Sequence, residues 1–264
     1  MRGAAVRERS RRYRGPVATR ARVGVALERH PLLWSVVLTI GWLAAVHLLA
    51  ELLVARRSGV EGNLRAAAVN VGALLVPLAV IAAAGWRIRA GLGRGLRWIL
   101  VLPVAVLYAS VLLVGLMPAA VGAVLATALL QLMLGLNEEV MFRGLIQAVW
   151  ARHRPLVQCT AVALIFGLQH SANVLFGQPV LDTAEQVVDA SLTGFTFAAA
   201  RLRIGSVWPL AAVHALGNFC NDLAADVPLA MYVVIGVLIF AYGLVLVRRL
   251  TPGPVEDARP PSDR

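Results

Sequence analysis

Long uninterrupted apolar runs, built mostly from Ala, Val and Leu, recur along this chain and fix the solvent in which it folds. A hydrocarbon core about 30 Å thick is crossed by roughly 20 apolar helical residues, because each residue advances the helix by only about 1.5 Å. Eight runs reach or approach that length: Leu32 to Val54, Ala66 to Trp86, Trp98 to Met117, Ala119 to Leu136 continuing into the polar stretch Asn137 to Arg143, Leu156 to His170, Ala184 to Arg201, Val207 to Asn221, and Val227 to Val247. Hydrophobic residues make up 59% of the 264 and charged ones 15%. That apolar share exceeds the roughly 45–50% of ordinary soluble domains and excludes a water-soluble globule. The fold class this predicts is all-α, a polytopic membrane helix bundle of about eight transmembrane helices.

All 25 basic residues are arginine, and their distribution sets an expected orientation. With eight spans the sides alternate, and the segments on the N-terminal side carry 21 arginines: nine before Pro31, four in 87–97, Arg152 and Arg154, Arg201 and Arg203, and four from Arg248 onward. The opposite side carries Arg56, Arg57 and Arg65, while Arg143 lies within a span. Positive charge concentrates in cytoplasmic segments, which places both termini in the cytoplasm. Attraction to anionic headgroups then accounts for the formal charge of +11, with the lipid bilayer as partner and no nucleic acid. Residues 1–30 read as a basic cytoplasmic tail, 31–249 as a membrane-embedded domain, and 250–264, with four prolines, as a disordered tail.

Smaller signals complete the layout. Thr183 and Gln186 have the spacing of a capping box for the sixth helix, and Ser206 is placed to cap the seventh, with Pro209 in its first turn. The glycines of 91–95 lack the strand and helix of a dinucleotide loop and read as a turn. Cys159 and Cys220 lie in apolar stretches and read as packing residues.

Ionisable side chains inside spans are costly, so those that interrupt the apolar runs point to function. Three clusters do so. Glu138-Glu139-Val-Met-Phe-Arg143 sets Glu139 and Arg143 four residues apart, close enough to pair, and turns Glu138 about 100° away from that pair. Phe166 and His170 share a face of the fifth helix by the same spacing, and His214 and Asn218 share a face of the seventh. Each cluster also has a structural reading: a buried ion pair, an interfacial histidine, an interhelical polar clasp. Elsewhere His47 and Glu51 read as the interfacial end of a span, Asp189, Ser191 and Thr193 as cavity lining, and Asn173, Asp222 and Asp226 as loop or cap residues.

Depth brings the clusters together. Glu138 lies about 21 Å back from Arg152 along the fourth helix, His170 about 24 Å forward from Arg154 along the fifth, and His214 about 16 Å from Arg203. The fourth and fifth helices are joined by a short turn and should be antiparallel neighbours, with acid and imidazole facing across the hairpin.

A carboxylate and an imidazole that hold a water, opposite two donors that hold an oxyanion, are the parts needed to hydrolyse an amide. No serine or cysteine nucleophile stands among them. Water attack with Glu138 as general base, oriented by His170, is the economical mechanism, with His214 and Asn218 stabilising the tetrahedral oxyanion. A metal version uses Glu138, His170 and His214 as zinc ligands with water in the fourth position. No H-E-x-x-H motif is present, so the sequence leaves both versions standing.

The three motifs, in this order on a multi-span chain, resemble those of the CPBP intramembrane peptidases (CAAX protease and bacteriocin-processing, also called Abi). The resemblance covers about Asn137 to Asn221. It implies an eight-helix endopeptidase with Glu138, His170, His214 and Asn218 catalytic and Glu139, Arg143 and Phe166 supporting them. It also implies a peptide or membrane-protein substrate, and a family commonly filed with metalloendopeptidases. The prenylated substrate of eukaryotic relatives does not transfer, because the all-Arg composition looks bacterial and bacteria generally lack prenylation. The expected location is a bacterial cytoplasmic membrane. The competing class is a non-catalytic bacteriocin-immunity or scaffold protein, or a proton-coupled carrier, against which the lack of inverted repeats counts.

Overall fold

A computed structural model describes residues 16–54, 58–93, 95 and 97–250. Among these residues the protein is all-helical: α1 is Pro16–Arg29, α2 Pro31–Leu53, α3 Gly59–Ala84, α4 Leu102–Ala109, α5 Val121–Val149, α6 Pro155–Gln169, α7 Val180–Ile204, α8 Trp208–Leu223 and α9 Leu229–Arg248. Prolines open several of them, at 16, 31, 155 and within the first turn of α4 and α8, where the missing amide is one the helix would leave unbonded anyway.

Five helical stretches are long and apolar enough to cross a membrane: α2, α3, α5, α6 with its extension to Phe176, and α9. Their outer faces agree with a lipid solvent, since α2 alone exposes Leu32, Leu33, Val36, Val37, Ile40, Leu48 and Leu52. The expected third span is corrected by the structure. Trp98 to Met117 is a short apolar helix from Leu102 to Val114, whose last five residues are 3-10, and it ends where Gly115 adopts φ 110°. At about 1.5 Å per residue that length falls short of a bilayer. Leu116 instead forms an isolated antiparallel bridge with Ala224.

Two other expectations also change. α7 starts at Val180, ahead of Thr183, whose hydroxyl donates to the Pro179 carbonyl 2.9 Å away while Gln186 accepts from Asn173. No capping box forms, because the chain before Thr183 is already helical. Ser206 lies one residue before the cap position of α8, where its Oγ accepts from the Trp208 amide at 3.4 Å and donates to the Gly93 carbonyl at 3.1 Å. Pro209 does occupy the first turn, as expected.

The Arg-rich segments gather at one end of the bundle. Buried Glu28 of α1 forms ion pairs with both Arg89 and Arg152, and Arg201 donates to the Arg89 carbonyl at 2.9 Å. Half of the expected N-terminal tail, 16–29, is therefore a helix fastened to two arginine-bearing turns. Residues 1–15 and 251–264 of the two expected tails lie outside the described residues.

Packing is tightest between α6 and α7, between α5 and each of α3 and α8, and between α7 and α9. At Gly167 of α6 a methyl group would meet the Ser191 side chain and lie 2.7 Å from the Val187 carbonyl oxygen, so only glycine lets α7 come this close. The fourth and fifth apolar helices, expected to face each other across a hairpin, meet chiefly where α6 touches the last turns of α5. Sequence neighbours yield here to better-fitting partners, and α5 spends its inner face on α3 and α8.

Candidate active site

The polar end of α5 is anchored before it becomes charged. Asn137, fully buried, accepts a hydrogen bond from the Trp42 indole at 3.1 Å and donates to Asn70 Oδ1 at 3.0 Å, which ties α5 to α2 and α3. Beyond Glu139 the helix widens into a π-helical stretch, Val140–Ile146, with every residue buried. Such stretches are rare and concentrate at functional sites.

The sequence expectation for Glu139 and Arg143 holds. Arg143 Nη1 donates to Glu139 Oε1 at 2.8 Å, with both side chains fully buried. The guanidinium also lies 4.0 Å over the Phe166 ring and 5.4 Å from that of Phe197, so aromatic faces of α6 and α7 take up the rest of its charge.

Glu138 differs from expectation. It was read as the carboxylate left without a partner, yet its Oε2 lies 3.4 Å from His214 Nε2, while His214 Nδ1 lies 2.9 Å from Glu139 Oε1. One imidazole bridges adjacent carboxylates. The reason is the placement of α8 directly against α5, which sequence spacing alone could not supply. A carboxylate only accepts, so the contact with Glu139 puts a proton on Nδ1 and aims Nε2 at Glu138.

His170 begins the 3-10 turn that follows α6, and its Nδ1 donates to the Phe166 carbonyl at 2.9 Å. The Gln169 amide nitrogen lies 3.2 Å from Nε2. The Phe166 ring meets the edges of both imidazoles, at 5.0 Å for His170 and 5.9 Å for His214, and so holds the two at a fixed separation. Both Glu138 and His214 lie within electrostatic range of the His170 ring. Asn173, read as a loop residue, donates to Gln186 of α7 at 2.8 Å and pins the turn that carries His170.

His170, His214, Asn218 and Phe166 line one cavity of about 660 Å³. The shared face expected for His214 and Asn218 is therefore real. Glu138, only 7% exposed, is not itself among the lining residues and meets the cavity through His214. Asp189 and Thr193 line it too, as the sequence suggested, but Ser191 does not: it faces α6 at Gly167, and its hydroxyl donates to the Val187 carbonyl at 2.7 Å. Tyr108 also lines the cavity, a place no sequence signal revealed. His47, read as interfacial, stacks on Phe176 at 3.8 Å, and Asp222 accepts from Gln131 at 2.6 Å. Both cysteines are buried and free.

The zinc ligands expected from the sequence were Glu138, His170 and His214. Among the described residues no group of three His, Cys, Asp or Glu side chains has the spacing to hold a metal ion, and both ring nitrogens of His214 face carboxylates. As placed here, these side chains are turned toward one another: His214 lies between two carboxylates, and His170 Nδ1 donates to the Phe166 carbonyl.

The segment from α5 to α8 thus supplies Glu138, Glu139, Arg143, His170, His214 and Asn218. Residues 118–220 match the family model described as type II CAAX prenyl endopeptidase Rce1-like. The resemblance read from the motifs is borne out, since the Rce1-like segment contains all three of them and opens just before α5. No curated protein and no solved structure matches the chain. The match covers less than half of the chain, and the five membrane-length helices, by length and composition, agree with a multi-pass membrane protein.

Proposed function

We propose that this protein is an intramembrane endopeptidase that hydrolyses a peptide bond in a membrane-associated peptide or protein, with water as the nucleophile. The observation that carries this reading is the cavity within the Rce1-like segment that is lined by His170, His214 and Asn218 and met through His214 by Glu138. Glu138 takes a proton from water as its oxygen attacks the carbonyl carbon, with His170 orienting that water. The carbonyl π electrons move to oxygen, and the Asn218 amide and His214 Nε2 donate to the resulting oxyanion. When the C–N bond breaks, the proton held by Glu138 passes to the leaving nitrogen, so the enzyme ends the cycle unchanged.

Glu139 and Arg143 act through His214 rather than on substrate. Arg143 holds Glu139 and Glu139 holds the His214 ring, so the ion pair sets how the imidazole is turned toward the cavity. An orientation with the Arg-rich end of the bundle in the cytoplasm of a bacterium is part of this reading, and the clustering of Arg89, Arg152 and Arg201 at one end supports it. The alternative of a non-catalytic immunity or scaffold protein needs no cavity at these residues. The deciding experiment compares peptide fragments from membranes holding the parent or Glu138→Gln. The variant should lose cleavage while keeping its folded, detergent-extracted form; equal fragments from both would overturn the proposal.

A further inference from the structure

One polar group in the cavity comes from outside the matched segment. Tyr108 stands near the end of α4, ahead of residue 118 where the match begins, and lines the cavity with His170, His214 and Asn218. Its ring lies against α8 at the turn that carries His214 and Asn218. A methyl group on Gly217 would come within 2.6–2.9 Å of three Tyr108 ring carbons, so glycine at this position is what lets the ring settle there. His214, Gly217 and Asn218 share one face of α8 by their three- and four-residue spacings, and all three line the cavity. The Tyr108 ring also stands edge-on to Phe197 at 6.4 Å, and Phe197 in turn meets the His214 ring at 5.8 Å.

Packing therefore fixes the ring, and the hydroxyl is the part left for chemistry. Thr193 of α7 is the side chain that this hydroxyl meets, with Arg143 and Glu139 in electrostatic range. Thr193 Oγ1 donates its own proton to the Asp189 carbonyl at 3.0 Å, so toward Tyr108 it can only accept. The phenol proton thus rests in a neutral hydrogen bond. An oxygen that turns negative nearby is a stronger acceptor, and rotation about the phenol C–O bond brings the proton to it without moving the ring. That exchange gains energy only as charge develops, which is the condition for speeding the chemical step rather than tightening the ground state.

We infer that Tyr108 is a further catalytic residue, whose hydroxyl donates a hydrogen bond to the substrate carbonyl oxygen as the tetrahedral oxyanion forms, beside Asn218 and His214. The inference rests on the endopeptidase reading and adds a donor to the same site. No proton changes hands in this contact; the bond relaxes when the carbonyl re-forms and the C–N bond breaks. His214 Nε2 faces Glu138 at 3.4 Å and is shared with that carboxylate, and a phenol donor makes up what the imidazole gives away.

The test uses the full-length protein in lipid nanodiscs. Its probes are a membrane-anchored peptide and, once fragments have located the cleaved bond, the same peptide with a phosphinate, a stable tetrahedral anion, in place of that amide. Tyr108→Phe keeps the ring on Gly217 and removes the hydroxyl alone, so a role confined to packing predicts unchanged kinetics and melting temperature. Under the inference kcat falls about a hundredfold with KM nearly unchanged, as for the loss of one oxyanion donor, and the phosphinate binds more weakly by a similar factor. A kcat within about twofold of the parent, or a change in KM alone, overturns the role of Tyr108. The peptidase reading then still stands if Glu138→Gln abolishes cleavage. A parent that cleaves no peptide ends the peptidase reading and this role with it.

Discussion

His214 Nδ1 stands 2.9 Å from Glu139 Oε1, although 75 residues separate the two in sequence. The contact fixes which ring nitrogen carries a proton and points the other toward Glu138 and the cavity. Glu139 in turn is held by Arg143, so the orientation of the cavity-lining imidazole depends on the Glu139–Arg143 ion pair.

Replacing Glu139 with Gln should therefore lower kcat by about 10–100-fold with little change in KM, the usual cost of losing a group that orients another. Arg143 would be left buried beside a neutral side chain, so the variant should also melt at a lower temperature. Adding Arg143→Gln should restore part of the melting temperature without restoring kcat. Kinetics on a membrane-anchored peptide, alongside thermal unfolding in detergent, separates the two effects.

Chelation offers a direct check on the ligand set. Because the carboxylate and imidazole groups face one another and form no metal-holding trio among the described residues, peptide cleavage should be unaffected by o-phenanthroline or EDTA. A rate that falls with chelator and returns with zinc would show that Glu138, His170 and His214 rearrange around a metal.

Gly167→Ala should destabilise the bundle by about 1–3 kcal/mol, the range typical of overpacking. The added methyl must displace α7 at Val187 and Ser191, and α7 carries both Asp189 and the phenyl ring of Phe197 that flanks His214. Activity should fall together with thermal stability. An unchanged melting temperature would mean that α6 and α7 are less closely apposed than described.

Glu28→Ala removes the shared partner of Arg89 and Arg152. Faster hydrogen exchange across Pro16–Arg29 is expected, with kcat close to that of the parent because α1 is remote from the cavity lining. Exchange that stays slow would show that apolar contacts such as buried Leu27 hold α1 by themselves.

Much of the candidate site was legible because its chemistry is local. The four-residue spacings of Glu139 with Arg143, Phe166 with His170 and His214 with Asn218 each put two side chains on one face, and the structure keeps all three relationships. Helix existence was legible for the same reason, since apolar runs of this length have few alternatives. What sequence could not supply was the choice of partner helix. Glu138 looked free because its neighbour in space, His214, arrives on α8, and the hairpin with α6 that short connectivity suggested is replaced by contact with α3 and α8. The break at Gly115 and the early start of α7 escaped as well, because both are set by backbone contacts with distant residues or by the turn before the helix.

The widened coil from Val140 to Ile146 makes residue count, as much as residue identity, a property of this protein. A π turn absorbs one residue more than regular winding would hold over the same arc, so deleting one amino acid there lets the coil close to an α-helix with the phase beyond it nearly kept. Gln147 then still points at the Ala198 carbonyl it now reaches at 2.9 Å, and its own carbonyl still faces Gln158, which donates to it at 2.8 Å. The same deletion in a regularly wound part of α5 would rotate everything past it by about 100°, and the two ends of the helix would no longer address the same neighbours.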